Sequence, residues 1–312
     1  MSDPARVLAA LALEAGLGYP AWLHRWAPHP VTWIGRAIDG LERCWNRSAW
    51  PTKGRCVLGV ATLVLVGGGA GAVGWSIDRL AQGRPWMALL ALLIATTGLA
   101  QHSLYQHVAA VSRALEAGDL IAARGAVGRI VGRDVDALDE QGAAAAALES
   151  LAESFNDGVV APAFWLLAGG LAGLFAYKAV NTADSLIGHR EVRWRAFGWA
   201  SARTDDVLNL IPARLAGGLL ALAGGGGWRI MWRDARKHAS PNAGWPEAAM
   251  AGALSVSLGG PATYDGIVSE RPQFGDGSHP GAGDLRRGLR VYVGGCALLW
   301  AIMAAGALAW PR

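Results

Sequence analysis

The chain has 312 residues, 53% of them hydrophobic and 17% charged, with a mean hydropathy of +0.27; soluble domains carry about one-quarter charged residues, so the balance points to lipid. The net charge of +4 is scattered among acids and forms no basic stripe, which argues against a nucleic-acid partner and fits positive-inside topology. Cys44, Cys56 and Cys296 are odd in number and lack metal-ligand spacing, so neither a disulfide framework nor a zinc site is expected.

In chain order, 1–56 reads as an N-terminal helical region. The apolar run from Val7 to Leu13 is interrupted by Glu14 and has no cleavage site after it, so a retained short helix is expected rather than a removed signal. Val57 to Ile77 carries no charge over 21 residues, close to the roughly 20 that cross a bilayer as a helix. A turn at Gly83 to Pro85 and a second apolar segment from Trp86 to about His107 make 57–107 a transmembrane hairpin. Residues 109–158 carry recurring charges in Ala-rich sequence, with Asp119 as an N-cap and Ala143 to Ala147 as strong helix formers, and predict a water-facing helical hairpin.

Two interrupted apolar runs occupy 159–227. Gly169 and Gly170 sit at the centre of Val159 to Val180, which predicts one span or a re-entrant pair of half-helices. Leu208 to Gly227 contains Asn209, Pro212 and Arg214; an intramembrane arginine needs a partner, so a tilted or partly embedded helix is expected. Residues 228–288 read as a long polar loop region without strands. Leu289 to Trp310 is the last span, anchored by Trp310 and followed by Pro311 and Arg312. The expected fold is an all-α polytopic membrane protein, a single integral domain of three to five spanning or re-entrant segments.

Gly69, Gly71 and Gly74 match GxGxxG, but they lie inside a span, and Gly67 with Gly71 makes a GxxxG pair, so helix packing is preferred over a dinucleotide site. His102 and His107 lack the spacing of a helical metal site. The informative stretch is Glu149 to Glu247. In ESLAESFNDGVVAP, Glu149 and Glu153 share a helix face before Asn156 and Asp157, which are expected to cap the next element. In YKAVNTADSLIGHR, Lys178, Asn181, Asp184 and Ser185 recur near helical spacing. ARTDDVLNLIPAR offers Arg203, Asp205, Asp206, Asn209 and Arg214; adjacent acids are hard ligands of the kind Mg²⁺ takes, or simply complement a helix dipole. RDARKHASPNAGWPEAAMAGAL gathers Arg233, Arg236, Lys237, His238, Ser240, Asn242 and Glu247, which suits phosphate or carboxylate binding, or attraction to anionic lipid.

These four strings, in this order, resemble the adenosylcobinamide-phosphate synthase family, the CobD or CbiB proteins of cobalamin biosynthesis. HPVTWIGRAI from His29 and GRDVDALDE from Gly132 look like two further elements of that family, so the resemblance covers nearly the whole chain; Tyr19, Val135 and Ser154 depart from its pattern. The resemblance implies an ATP-dependent ligase that joins the f-propionate of adenosylcobyric acid to (R)-1-amino-2-propanol or its O-phosphate. It implies Glu153, Asp157, Asp205 and Asp206 for Mg²⁺, and Arg203, Arg214, Arg236 and Lys237 for phosphates or the propionate. Asn181, Asn209, Ser240 and Asn242 would orient substrate; His238 or Glu247 would take the amine proton, with Lys178, Asp184 and Ser185 in the catalytic group. Other cobalamin-biosynthesis enzymes would be its partners, and its place the inner membrane with the site facing the cytoplasm. The competing readings are a transporter with an intramembrane polar site and a non-catalytic membrane scaffold for corrinoid enzymes.

Overall fold

A computed structural model describes residues 3–20, 26, 28–189, 191–264 and 266–310. The helices are α1 (Pro4–Leu17), α2 (Pro30–Trp45), α3 (Thr52–Ala81), α4 (Pro85–Thr96), α5 (Gln101–Glu116), α6 (Leu120–Val127), α7 (Glu140–Phe155), α8 (Ala161–Ile187), α9 (Trp199–Leu208), α10 (Leu210–Ala223), α11 (Trp228–Asp234), α12 (Gly244–Leu254) and α13 (Ala282–Ala309). Four short strands, β1 (Leu258–Gly259), β2 (Ala262–Tyr264), β3 (Ile267–Ser269) and β4 (Gln273–Phe274), pair antiparallel as β1 with β4 and β2 with β3. Among the described residues, four helical stretches are long and apolar enough to cross a membrane: Thr52–Ala81, Pro85–Glu116, Glu140–Ile187 and Ala282–Ala309; the bent pair α9 and α10 would make a fifth. The protein is an all-α polytopic membrane protein, as its composition predicts. Pro311 and Arg312, the predicted charge beyond the Trp310 anchor, lie outside the described residues.

The chain divides into two compact units. The first comprises Met1–Ala100, Ala161–Asn209 and Met303–Arg312. Its N-terminal helix forms as expected, with Asp3 accepting from the Ala5 N–H at 2.8 Å and Pro4 at the first turn. The long helix α3 packs along α8 through its glycines: Gly67 faces Val180, Gly71 faces Ala176, and Gly74 lies so close to the Leu171 backbone that a Cβ would collide with it. The glycine pattern is therefore a packing seam within one chain. On the other side of α3, Val57, Val64, Leu65 and Val73 are exposed, as are Leu89 and Leu90 of α4, which is the surface a lipid-facing hairpin presents. At one end of this seam Ile38, Ala183, Ile187 and Phe197 form a buried cluster with Ile34 and Leu58 against it.

Of the two alternatives for the Gly169–Gly170 run, α8 takes the broken one. Gly170 adopts φ 62°, ψ −150°, inside what is otherwise helix, and Gly173 comes against the Trp165 carbonyl. Residues eight apart in a continuous helix would be separated by about 12 Å, so the chain turns back sharply at Gly170, and only glycine takes that backbone without strain. Asp78 of α3 reaches the break and accepts from the Leu171 N–H at 2.8 Å, capping the half-helix that restarts there.

The second unit comprises Gln101–Val160 and Leu210–Ile302, and here the sequence expectations need correction. The apolar run from Trp86 to about His107 lies within the candidate span Pro85–Glu116, with an interruption the sequence does not announce: α4 ends at Thr96, where the Thr96 and Thr97 hydroxyls donate to the Leu93 and Ile94 carbonyls, and α5 begins at Gln101. Hydroxyls that bond back onto the preceding turn compete with the helix ladder. The predicted water-facing hairpin is instead α5, α6 and α7, and Ala143 to Ala147 are buried core. Small side chains allow the close approach that composition alone reads only as helix propensity. Asp119 does cap α6, accepting from the Ala122 N–H at 2.9 Å. Asn156 and Asp157, expected to cap the next element, lie instead in a π-turn, Asn156–Val160, that runs on from α7, with the Asn156 N–H donating to the Glu153 carbonyl at the C-terminus of α7. The predicted loop region contains α11 and the almost wholly buried α12, together with the four strands, each too short to show alternation.

Candidate active site

The predicted site residues divide between the units, and each group is built on its own helices. In the first unit, α8 carries Lys178, Asn181, Asp184 and Ser185 and α9 carries Arg203, Asp205 and Asp206, with Asn209 closing α9. Asp205 is the hub of this group: it accepts from Asn181 Nδ2 at 3.3 Å and from Asn209 Nδ2 at 3.0 Å. Asn209 Oδ1 in turn accepts from the buried Tyr177 hydroxyl at 3.1 Å, and Lys178 Nζ lies 3.4 Å from Asn181 Oδ1. The result is one ammonium, one carboxylate and two amides fixed in register by two packed helices. Ser185 donates to the Asn181 carbonyl one turn back, which orients it along its own helix. Arg203 pairs with Asp206 at 3.2 Å on an exposed face, so the two adjacent acids point to different partners.

In the second unit a buried polar cluster surrounds Glu149 of α7 and Glu247 of α12. Glu149 is 3% exposed and pairs with Arg133 and with Arg271, the latter at 3.0 Å, and it also accepts from the Gly259 N–H at 2.8 Å. Glu247 is 2% exposed in its side chain, but its nearest cations are distant: Arg271 Nη2 lies 3.8 Å from Oε2 and His238 Nε2 3.8 Å from Oε1. Those separations exceed a hydrogen bond, and Oε2 makes none. Burial, reinforced by the neighbouring Glu153 and Glu149 carboxylates, pushes the Glu247 carboxyl well above the usual range. His238 Nδ1 accepts from the Ser240 N–H at 2.9 Å, which places the ring proton of the neutral imidazole on Nε2, toward Glu247. Between the two predicted proton acceptors, Glu247 therefore has the free basic atom.

Beside this cluster, Arg214 of α10 stacks on Trp245 at 4.7 Å and donates to Asn242 Oδ1 at 2.9 Å and to the Pro241 carbonyl. This supplies the partners that its place in an apolar run requires. Arg236 is exposed and close enough to repel Arg214, and two like charges at that range make a cationic seat of the kind an oxyanion takes. Ser240 Oγ braces the loop by accepting from the Asn242 N–H at 3.2 Å. Lys237 is not part of that seat. It is bound at 2.6 Å by the fully buried Asp234, which also holds Arg233 at 2.7 Å and accepts from the Gly275 N–H.

The predicted metal ligands do not make a ready cage. Among the described residues no three His, Cys, Asp or Glu side chains are grouped to hold a metal ion. Asp205 is engaged by amide donors, Asp206 by Arg203, and Asp157 accepts from Asn156 Nδ2 at 2.7 Å, while Glu153 is exposed.

The family model described as CobD/Cbib protein matches residues 7–292. The chain belongs to the CobD/Cbib family. It is 46% identical to the cobalamin biosynthesis protein CobD of Rhodobacter capsulatus, over 97% of this chain and 100% of that one. It is 42% identical to the CobD of Rhizobium meliloti, over 97% and 96%, and 47% identical to that of Brucella suis, over 85% and 84%. No solved structure matches the chain.

Within this CobD/Cbib chain, the remaining family-like strings prove to be scaffold. In HPVTWIGRAI, His29 Nδ1 accepts from the Val31 N–H to cap α2, and Ile34 and Ile38 pack into the first unit's buried cluster. In GRDVDALDE, Arg133 reaches Glu149, Asp134 accepts from the Gly266 N–H at 2.8 Å to fix the β2–β3 hairpin, and Asp139 caps α7. Sequence reasoning missed Arg133 and Arg271 as site residues and treated Glu149 only as one face of an acidic helix. The available signal was Arg133 itself, a cation inside a quoted motif, whereas Arg271 sits 122 residues from its carboxylate in loop-like sequence.

Proposed function

We propose that this protein acts in cobalamin biosynthesis, joining the f-propionate of adenosylcobyric acid to (R)-1-amino-2-propanol or its O-phosphate with consumption of Mg·ATP. A carboxylate does not form an amide in water until one oxygen becomes a leaving group, so the γ-phosphoryl of ATP would pass to the propionate, giving an acyl phosphate and ADP. The neutral amine would then attack the acyl carbon, phosphate would leave, and the amine would lose a proton. Glu247 is assigned that proton, because a buried carboxyl whose proton affinity is raised by burial and by the neighbouring Glu153 and Glu149, and which keeps an oxygen free of hydrogen bonds, is a stronger base than an ordinary carboxylate. Arg214 and Arg236 are assigned the phosphate or propionate, with Asn242 and Ser240 orienting them. The Lys178, Asn181 and Asp205 group is assigned amide contacts to the corrinoid. The cytoplasmic face of the inner membrane is the proposed location, since ATP and the corrinoid are supplied there.

The observation that most supports this reading is the undersaturated Glu247, with His238 and Arg271 each 3.8 Å away and one oxygen without a hydrogen bond, in a chain of the CobD/Cbib family. Purified protein in detergent is incubated with adenosylcobyric acid, Mg·ATP and either amine, with host extract supplied in parallel, and the corrinoid is followed by mass spectrometry. Product with ADP release, abolished by Asp205→Ala with Asp206→Ala, is expected. Folded protein that forms no amide with either amine would bring the transporter or scaffold forward.

A further inference from the structure

The proposed reaction leaves one charged cluster of the first unit unused. It lies at the Ala81 end of α3. Along the α3–α8 seam, Val180 packs at Gly67 and Leu171 at Gly74, so the helices run antiparallel and Lys178 to Ser185 pack from the middle of α3 toward Thr52. Asp78 is about 16 Å further along the axis in the other direction, at 1.5 Å per residue from Gly67. There Arg6 of α1 holds Asp78 Oδ1 through Nη1 at 2.7 Å, while Oδ2 caps the restarted half-helix at Leu171.

Arg6 Nη2 is buried and makes no hydrogen bond within the protein, and Asp78 Oδ1 has no hydrogen-bond donor meeting it in good geometry. A buried donor left without an acceptor is costly, so it marks a place for one. Both residues line a cavity of about 450 Å³ whose polar end also includes Asp3 and Gln82 and whose other wall includes Leu89 and Leu92. Its lining includes Ala81, Gln82 and Ala88 on either side of the α3–α4 turn, and the same helix ends carry two exposed tryptophans, Trp75, with the Arg79 guanidinium 5.1 Å from its ring centroid, and Trp86. Paired interfacial tryptophans and an arginine mark the depth of lipid headgroups. One cation with two carboxylates disfavours a purely anionic headgroup and complements one that carries both a phosphate and an N–H ammonium.

We propose that this cavity seats the headgroup of phosphatidylethanolamine, its phosphate oxygen on Arg6 Nη2, its ammonium against Asp78 and Asp3, and an acyl chain along Leu89 and Leu92. The site is independent of the ligase reading, since none of these residues belongs to either polar cluster assigned above. The test is retention of lipid by the full-length protein, reconstituted with equal fractions of phosphatidylethanolamine, phosphatidylcholine and phosphatidylglycerol and examined by native mass spectrometry. Phosphatidylethanolamine is expected about tenfold over the other two, the size of one charge-assisted hydrogen bond that phosphatidylcholine cannot make. Arg6→Gln should erase that preference and the rise in unfolding temperature on adding the lipid, while Arg6→Lys keeps part of both. If Arg6→Gln does not fold, Leu89→Trp and Leu92→Trp, which fill the cavity from its apolar wall, must erase the preference instead. Equal retention of the three lipids, a preference for phosphatidylglycerol, or a preference unchanged in these variants overturns the proposal.

Discussion

Asp234 and Glu247 are both buried acids of the second unit, yet their surroundings differ in every respect that sets charge. Asp234 receives Arg233, Lys237 and the Gly275 N–H at hydrogen-bonding distance, and its carboxyl is held far below the ordinary range, chiefly by Arg233. Glu247 has cations only at 3.8 Å, two other carboxylates acting on it, and an oxygen without a hydrogen bond. The first is a saturated node that ties α11 to the segment entering α13, with Asp276 also on Arg233 at 2.7 Å. The second is unsaturated, and it is the acid to which the proposed reaction assigns the amine proton. Burial alone does not distinguish the two acids; saturation does.

Substitutions can break that distinction. The largest effect is expected from Glu247→Gln, which keeps volume and removes the base: amide formation should fall roughly a thousandfold, with an unfolding temperature equal to or above that of the parent because carboxylate crowding is relieved. Product measured by mass spectrometry beside a thermal melt checks both halves, and an active variant would return Glu247 to the structural class. Glu149→Ala should cost about 3 kcal/mol, since it leaves the buried Arg133 and Arg271 facing each other without their shared acceptor; the thermal melt reads this directly, and Glu149→Gln should lose less. Asp234→Asn should cost about 2 kcal/mol, reduced from a fully buried pair because Arg233 and Lys237 are more than a third exposed. Its activity at permissive temperature should stay near the parent's, whereas a loss as large as that of Glu247→Gln would erase the contrast.

The two units were legible to different degrees, for physical reasons. In the first, an uncharged 21-residue run and a GxxxG seam each have one dominant structural meaning, so α3 and its packing are read directly, whereas the Gly-Gly pair within an apolar stretch fits one span or two half-helices and only the backbone at Gly170 decides between them. In the second, alanine misled: Ala143 to Ala147 and the Ala-rich α12 have modest hydropathy but are buried because small side chains let helices close on one another. The candidate acids and amides were recognisable by type and spacing, but their states were not. Lys237 is absorbed by Asp234 three residues earlier, Asp206 by Arg203, and Glu247 depends on Arg271 across the β1–β4 segment. Ion pairs decide which charges remain available: two of these lie one helical turn apart and are open to local reading, whereas the Arg271 contact with Glu247 is encoded by no local periodicity.

The smallest expected effect tests the Asp234 and Glu247 contrast in a single measurement, the dependence of unfolding temperature on pH. Asp234 is shifted down from its ordinary value of 3.8, so the unfolded chain binds its proton first. Its stabilisation is complete above that value and is lost as pH falls toward the folded-state value. Glu247 is shifted up from 4.5, so the folded chain holds the proton longer, and stability declines as pH rises from 4.5 through the raised value. The two acids therefore tilt opposite limbs of one curve. Asp234→Asn should flatten the acid limb and leave the other unchanged, and Glu247→Gln should remove the decline on the alkaline side. If Glu247→Gln instead altered the acid limb, Glu247 would be an ordinary ionised carboxylate, the contrast with Asp234 would collapse, and the proton acceptor would have to be sought elsewhere in the cluster.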